Sequence, residues 1–137
     1  MKFDDIVMAF EFVSSGPPFE HTALISKETG EIYYRSEFGD LDELPDEADE
    51  EPGKYIEIPH KNELNLGRAL VLAFVAKHLP DELGVVQNIF RSRGAYHRFK
   101  DLLAQTGRLE EWYRYEDAQT NAVLREWCIA QGIVLDD

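Results

Sequence analysis

Four bases and a histidine lie within ten residues, at Arg91, Arg93, His97, Arg98 and Lys100, and no acid interrupts them. Guanidinium groups present paired N–H donors that match carboxylate and phosphate oxygens. A helix starting near Gly94 would add free backbone N–H groups and the positive end of its dipole. Ser92 is placed to cap that helix. The chemistry on offer is anion binding, with a phosphate, a carboxylate or a nucleic-acid backbone as ligand. A chain with 27 acids also needs its bases for ion pairs, and Glu110, Glu111, Glu116 and Asp117 follow closely. Pairing within the fold or at a subunit interface is therefore the first expectation and anion binding the second. Phe90, Tyr96 and Phe99 interleave with the bases, at a spacing that suits a core-facing stripe better than a base-stacking platform.

Other chemistries find less support. Between Asp40 and Glu51, eight of twelve residues are acidic. Asp40, Asp42 and Glu51 fit positions 1, 3 and 12 of a calcium loop. Leu44 and Pro45 then occupy positions that need an oxygen ligand and a glycine, so the frame fails. His21, His60, His78 and His97 are scattered, and no spacing among them calls for a metal. His60 and His78 read as polar residues near the ends of a buried helix. Cys128 stands between Trp127 and Ile129, where a buried, inert thiol is expected. No nucleophile elbow and no glycine-rich phosphate loop occurs. No catalytic residue and no cofactor emerges, and the reading leans away from an enzyme.

These residues need elements to hold them. Asp4–Ser15 predicts a helix, with Asp4 and Asp5 in its first turn and Ile6, Ala9, Phe10 and Val13 on one face. Gly16-Pro17-Pro18 stops it. His21–Ser26 and Glu31–Ser36 predict a hairpin, with Gly30 where a positive φ is easiest. Tyr55–Ile58 predicts a third strand. The proline-containing acidic stretch between them, 39–53, is expected to be a solvated loop. Asn62–Leu79 is apolar on nearly every side and predicts a buried helix. Pro80 ends it and Asp81 opens the next, through Leu83, Val86, Ile89 and Phe90. Tyr96, Phe99, Leu102 and Leu103 mark another, ended by Thr106-Gly107. A last helix runs from about Leu109 to Gln131, anchored by Trp112, Tyr113, Leu124 and Trp127 and stopped by Gly132. The expected fold is α+β: an N-terminal helix, an antiparallel sheet of about three strands and a C-terminal cluster of about four helices.

The 137 residues suit one domain, spanning 1–137, with an acidic sheet part over 1–59 and a helical part over 60–137. Net charge is −13, and residues 1–59 alone hold 16 acids against 4 bases. Such a field opposes nucleic acid and anionic lipid over the surface as a whole, although a local basic patch remains compatible. One cysteine allows no internal disulfide and suits a reducing compartment. MKFDDIVMAF lacks the basic start of a secretory signal, and no stretch is long and apolar enough to span a bilayer. A cytoplasmic protein is expected.

The run Phe90-Arg91-Ser92-Arg93-Gly94-Ala95-Tyr96-His97-Arg98-Phe99-Lys100-Asp101, with Trp112-Tyr113 and Glu126-Trp127 downstream, resembles the bacterial uncharacterised protein family number 158. The Thr29-Gly30-Glu31 turn, the acidic stretch and Ile58-Pro59 are also similar. The resemblance covers most of the chain. It implies an intracellular bacterial protein of mixed α and β structure, and it assigns no activity. The leading expectation is a non-enzymatic interaction or regulatory module that meets a protein partner or its own copy. A nucleic-acid or phosphate binder centred on Arg91, Arg93, His97, Arg98 and Lys100 is the alternative.

Overall fold

The structure is a computed structural model that describes residues 1–37 and 41–136. The fold is α+β, and its described residues form two compact units: 1–64 with 123–136, and 65–122. Helix α1 (Phe3–Ser14) opens the first unit, with Asp4 and Asp5 in its first turn. Its face of Phe3, Ile6, Ala9, Phe10 and Val13 is buried, at the i, i+3, i+4 spacing the sequence displays. The helix lies against strand β1 (His21–Ser26). β1 is the centre of a three-stranded sheet, flanked by β2 (Ile32–Ser36) and β3 (Tyr55–Glu57) and antiparallel to both. The register places Leu24 opposite Tyr33 and Ile25 opposite Ile56. Ala23 and Ile25, two apart, both reach the core. Gly30 closes the β1–β2 turn at φ +77°.

The acidic stretch is mostly exposed, as expected of it, and carries local structure as well. Positions 39 and 40, including Asp40, lie outside the described residues. Beyond them, Asp42 bridges to Arg35, and a short helix α2 (Glu47–Glu50) buries Ala48. Lys54 stands among the carboxylates, with Nζ 2.8 Å from Glu47, 2.7 Å from Glu51 and 3.9 Å from Glu28. One ammonium relieves the mutual repulsion of three acids, so the chain can turn there. Lys54 holds the Glu47 carboxyl below the usual carboxylate range, and Glu47 in turn raises the Lys54 ammonium above the usual lysine range.

The buried helix expected over Asn62–Leu79 is shorter and one-sided. A 3₁₀ turn occupies Lys61–Leu64, Asn65 takes φ +57°, and helix α3 runs over Arg68–His78. Asn tolerates the left-handed region, which lets the backbone break where hydropathy alone reads as continuous. On α3, Leu70, Val71, Phe74 and Val75 are buried, while Ala69, Ala73 and Ala76 are exposed. The alanines are there for helix propensity rather than burial.

The second unit contains α3, α4 (Leu83–Ile89), α5 (Ala95–Gln105) and much of α6 (Leu109–Ala130). Its centre is Trp112, fully buried, with Phe74 at 5.3 Å and Phe99 at 5.2 Å between ring centroids, both near edge-to-face. Rings at those distances and angles add about 0.5–1.5 kcal/mol each beyond their burial. Tyr115 joins Phe74 at 5.1 Å. Tyr113, expected as an anchor, is exposed, because residues 112 and 115 share a helix face and 113 lies a third of a turn away. Both α5 and α6 end in a Schellman motif. Arg108 N–H donates to Leu103 O at 2.8 Å past Gly107, and Ile133 N–H to Cys128 O at 2.9 Å past Gly132. Among the described residues, no helix is long and apolar enough to cross a membrane.

Candidate functional site

The basic segment spans the turn between α4 and the first two turns of α5. Gly94 starts α5 at φ +73°, where no Cβ is tolerated without strain. Ser92 does not cap that helix, as the sequence led one to expect. Its Oγ instead accepts from Arg98 Nη2 at 3.0 Å. The same nitrogen donates to Ile89 O at 3.0 Å and to Ser92 O at 3.4 Å. Ile89 is the last residue of α4, and its carbonyl also accepts from Ser92 N–H at 3.4 Å, so Arg98 adds a second donor at the helix end. Arg98 ties the turn together from the far side.

The remaining cations go different ways. His97 Nε2 lies 3.5 Å from Asp101 Oδ2, one helical turn along α5. Lys100 extends over the Tyr113 ring, 5.6 Å from its centroid. Arg91 and Arg93 are exposed and form no ion pair among the described residues. The five residues therefore do not converge. The turn collects Arg91, Arg93 and the bound head of Arg98, while His97 and Lys100 are engaged elsewhere. Glu111, one of the acids expected to pair with the arginines, instead takes His78 Nδ1 at 3.0 Å and Arg108 at 3.2 Å. The aromatic neighbours behave as a core stripe: Phe90 meets Tyr96 at 5.0 Å and Phe99 at 5.9 Å. Burial, with Glu116 nearby, pushes the Tyr96 hydroxyl above its usual range.

Elsewhere, His60 is a structural residue that sequence reading placed only loosely. It is buried, its Nδ1 accepts from Asn62 N–H at 3.0 Å, and its Nε2 therefore donates to Gly16 O at 2.8 Å. Glu63 Oε2 accepts from the His60 N–H at 3.0 Å. This is a capping box with an imidazole in place of a hydroxyl. The signal was present in His60-Lys61-Asn62-Glu63, a polar residue three before a glutamate. No group of three or more His, Cys, Asp or Glu that could hold a metal occurs among the described residues. Cys128 is fully buried.

The charge divides sharply. The stretches 1–64 and 123–137 hold 20 acids and 6 bases, a net of −14, whereas 65–122 hold 7 acids and 8 bases, a net of +1. The arginine turn belongs to the second unit.

A comparison with protein families finds a match over residues 21–135, described as an uncharacterised protein family (UPF0158). No curated protein and no solved structure matches the chain.

Proposed function

This chain belongs to the uncharacterised protein family UPF0158, and from that premise we propose that it is a non-enzymatic interaction module of the bacterial cytoplasm whose Arg91–Arg93 turn meets an acidic surface on a protein partner. One observation carries the reading. In a chain with 27 acids, Arg91 and Arg93 remain exposed with no carboxylate in reach among the described residues. Two free guanidinium forks on a turn braced by Arg98 are prepared to take carboxylates pairwise. A buried thiol supports a reducing compartment, and an acid-rich remainder repels anionic surfaces that do not offer the matching geometry.

The test is a pull-down from the native host with wild type and with Arg91→Glu/Arg93→Glu. Partners captured by the wild type should be lost, while the melting temperature stays within a degree or two. Arg98→Glu serves as the contrast, since it breaks the turn and lowers stability. If the double variant instead splits a dimer, the partner is a second copy. A second reading, nucleic-acid binding, draws on the net +1 of residues 65–122. It requires binding to a duplex that weakens steeply with salt and vanishes in the double variant. Salt-insensitive or absent duplex binding removes it.

A further inference from the structure

A second surface, on the other unit and of opposite charge, is built around Phe19. Phe19 has φ +73° and is 85% exposed. A bulky aromatic side chain in the left-handed region is strained, and such outliers persist only where the surrounding structure imposes them. Glu20 N–H donates to Pro17 O at 3.3 Å, so Pro18 and Phe19 are the two central residues of a turn. Proline first and a positive φ second is the pattern of a type II turn, whose second place belongs to glycine or asparagine. Asn65, the other non-glycine residue at positive φ among the described residues, is of the tolerated type. Phe19 is not, and it gains no burial in return.

The turn is held from both sides. His60 Nε2 donates to Gly16 O just before it, and Glu37 N–H donates to Glu20 O at 2.9 Å just after it. Pro17 and Pro18 remove backbone freedom within it. The backbone that carries the ring is thus braced, which lowers the ordering penalty of binding. Beside it lies an open concavity of about 370 Å³ lined by Pro17, Pro18, Phe19, Glu20 and Glu37. A smaller hollow that also touches Phe19 is lined by Glu57 and Glu63 together with His21 and His60. Among the described residues, neither is lined by a lysine or an arginine. Apolar walls under a carboxylate rim call for an apolar side chain flanked by cations.

We propose that Phe19 and its acidic rim dock a segment of a partner protein in which an aromatic or aliphatic side chain is flanked by lysines or arginines. The apolar side chain packs in the concavity against Phe19 and the prolines, and the flanking cations meet Glu20 and Glu37. The net −14 of this unit steers such a cationic segment toward it and repels the same face of a second copy. This surface shares no residue with the arginine turn and stands independently of it. Pro17, Pro18, Phe19 and Glu20 precede the family match, which begins at residue 21, and Glu37 lies within it.

Two measurements test it. Phe19→Gly relieves the strained backbone, so its urea midpoint should equal or exceed that of wild type; a clearly lower midpoint would show that the ring serves the fold and would overturn the proposal. A random peptide library displayed on phage is then selected on the folded chain. Enriched peptides should carry an apolar residue flanked by Lys or Arg. Synthesised, they should bind Phe19→Gly and Glu20→Lys/Glu37→Lys at least tenfold more weakly than wild type, and Arg91→Glu/Arg93→Glu as well as wild type. No enrichment over Phe19→Gly, enrichment without basic residues, or undiminished binding to Phe19→Gly each overturns it.

Discussion

The acid-rich unit adds to its apolar core polar groups that each serve several partners, whereas residues 65–122 centre on edge-to-face and tilted rings. In the first, His60 connects the α1 exit, its own turn and Asn62, and Lys54 holds three carboxylates. In the second, Phe74, Phe99, Trp112 and Tyr115 form one aromatic cluster. The charged stretches differ in the same direction. The acid-rich stretch gathers its carboxylates around a partly exposed lysine, while the base-rich turn binds one arginine to carbonyls and leaves two facing solvent. A sheet edge with like charges needs a counterion of its own to keep its course. A turn between helices does not, and its side chains are free for contact with another molecule.

The comparison is most exposed at Trp112. Trp112→Ala should destabilise the chain by about 3–5 kcal/mol, read as a fall in the urea midpoint. Amide exchange should quicken more in 65–122 than in the sheet. Equal loss of protection in both would mean that the rings do not confine their effect to one unit. Trp112→Phe is the sharper control, because the indole Nε1 is buried without a hydrogen-bond partner and its removal offsets part of the lost packing.

His60→Ala comes next, at about 1–3 kcal/mol, since it removes the buried ring that serves both the Asn62 N–H and the Gly16 carbonyl. Chemical denaturation measures it, and a loss below half a kcal/mol would reduce the imidazole to a spacer. Gly94→Ala should cost about 1–2 kcal/mol through its positive φ alone, as no neighbour lies within 4 Å of the added Cβ. A circular-dichroism melt suffices to see it.

Lys54→Met should have the smallest effect, a modest fall in melting temperature that added salt reverses by screening the three carboxylates. The pH dependence has a defined sign. Glu47 titrates below its ordinary value, so its contribution is present above the ordinary carboxylate range and fades as pH falls through the lowered value. Lys54 titrates above its ordinary value, so its share is present below the ordinary lysine range and is lost only as pH rises beyond it. Lys54→Met should therefore flatten the acid limb of the stability profile. An unchanged acid limb would remove the clamp from the comparison.

Much of the fold was legible because its signals are local. Gly30, Gly94, Gly107 and Gly132 all take the positive φ that their places as punctuation imply. The strands and the last three helices follow from periodicity read within a few residues. What was misread depended on partners distant in sequence or on a single dihedral. Hydropathy cannot show that Asn65 turns left-handed, nor that Lys54 is close enough to calm the acidic stretch. The sequence also marked Gly16-Pro17-Pro18 as a stop and passed over the residue after it. The signal there was an aromatic residue in a turn position, with no apolar companion at strand or helix spacing.

Composition, spacing and the order of residues by themselves determined the class of fold, the element order and the existence of one basic segment in an anionic chain. Only tertiary structure decided which cations of that segment stay free, because Arg98, His97 and Lys100 each found an acceptor, an acid or a ring whose position the backbone path sets. It likewise decided that Phe19 faces outward. Whether a side chain is buried depends on what the rest of the chain brings against it, and no pattern within a few residues contains that.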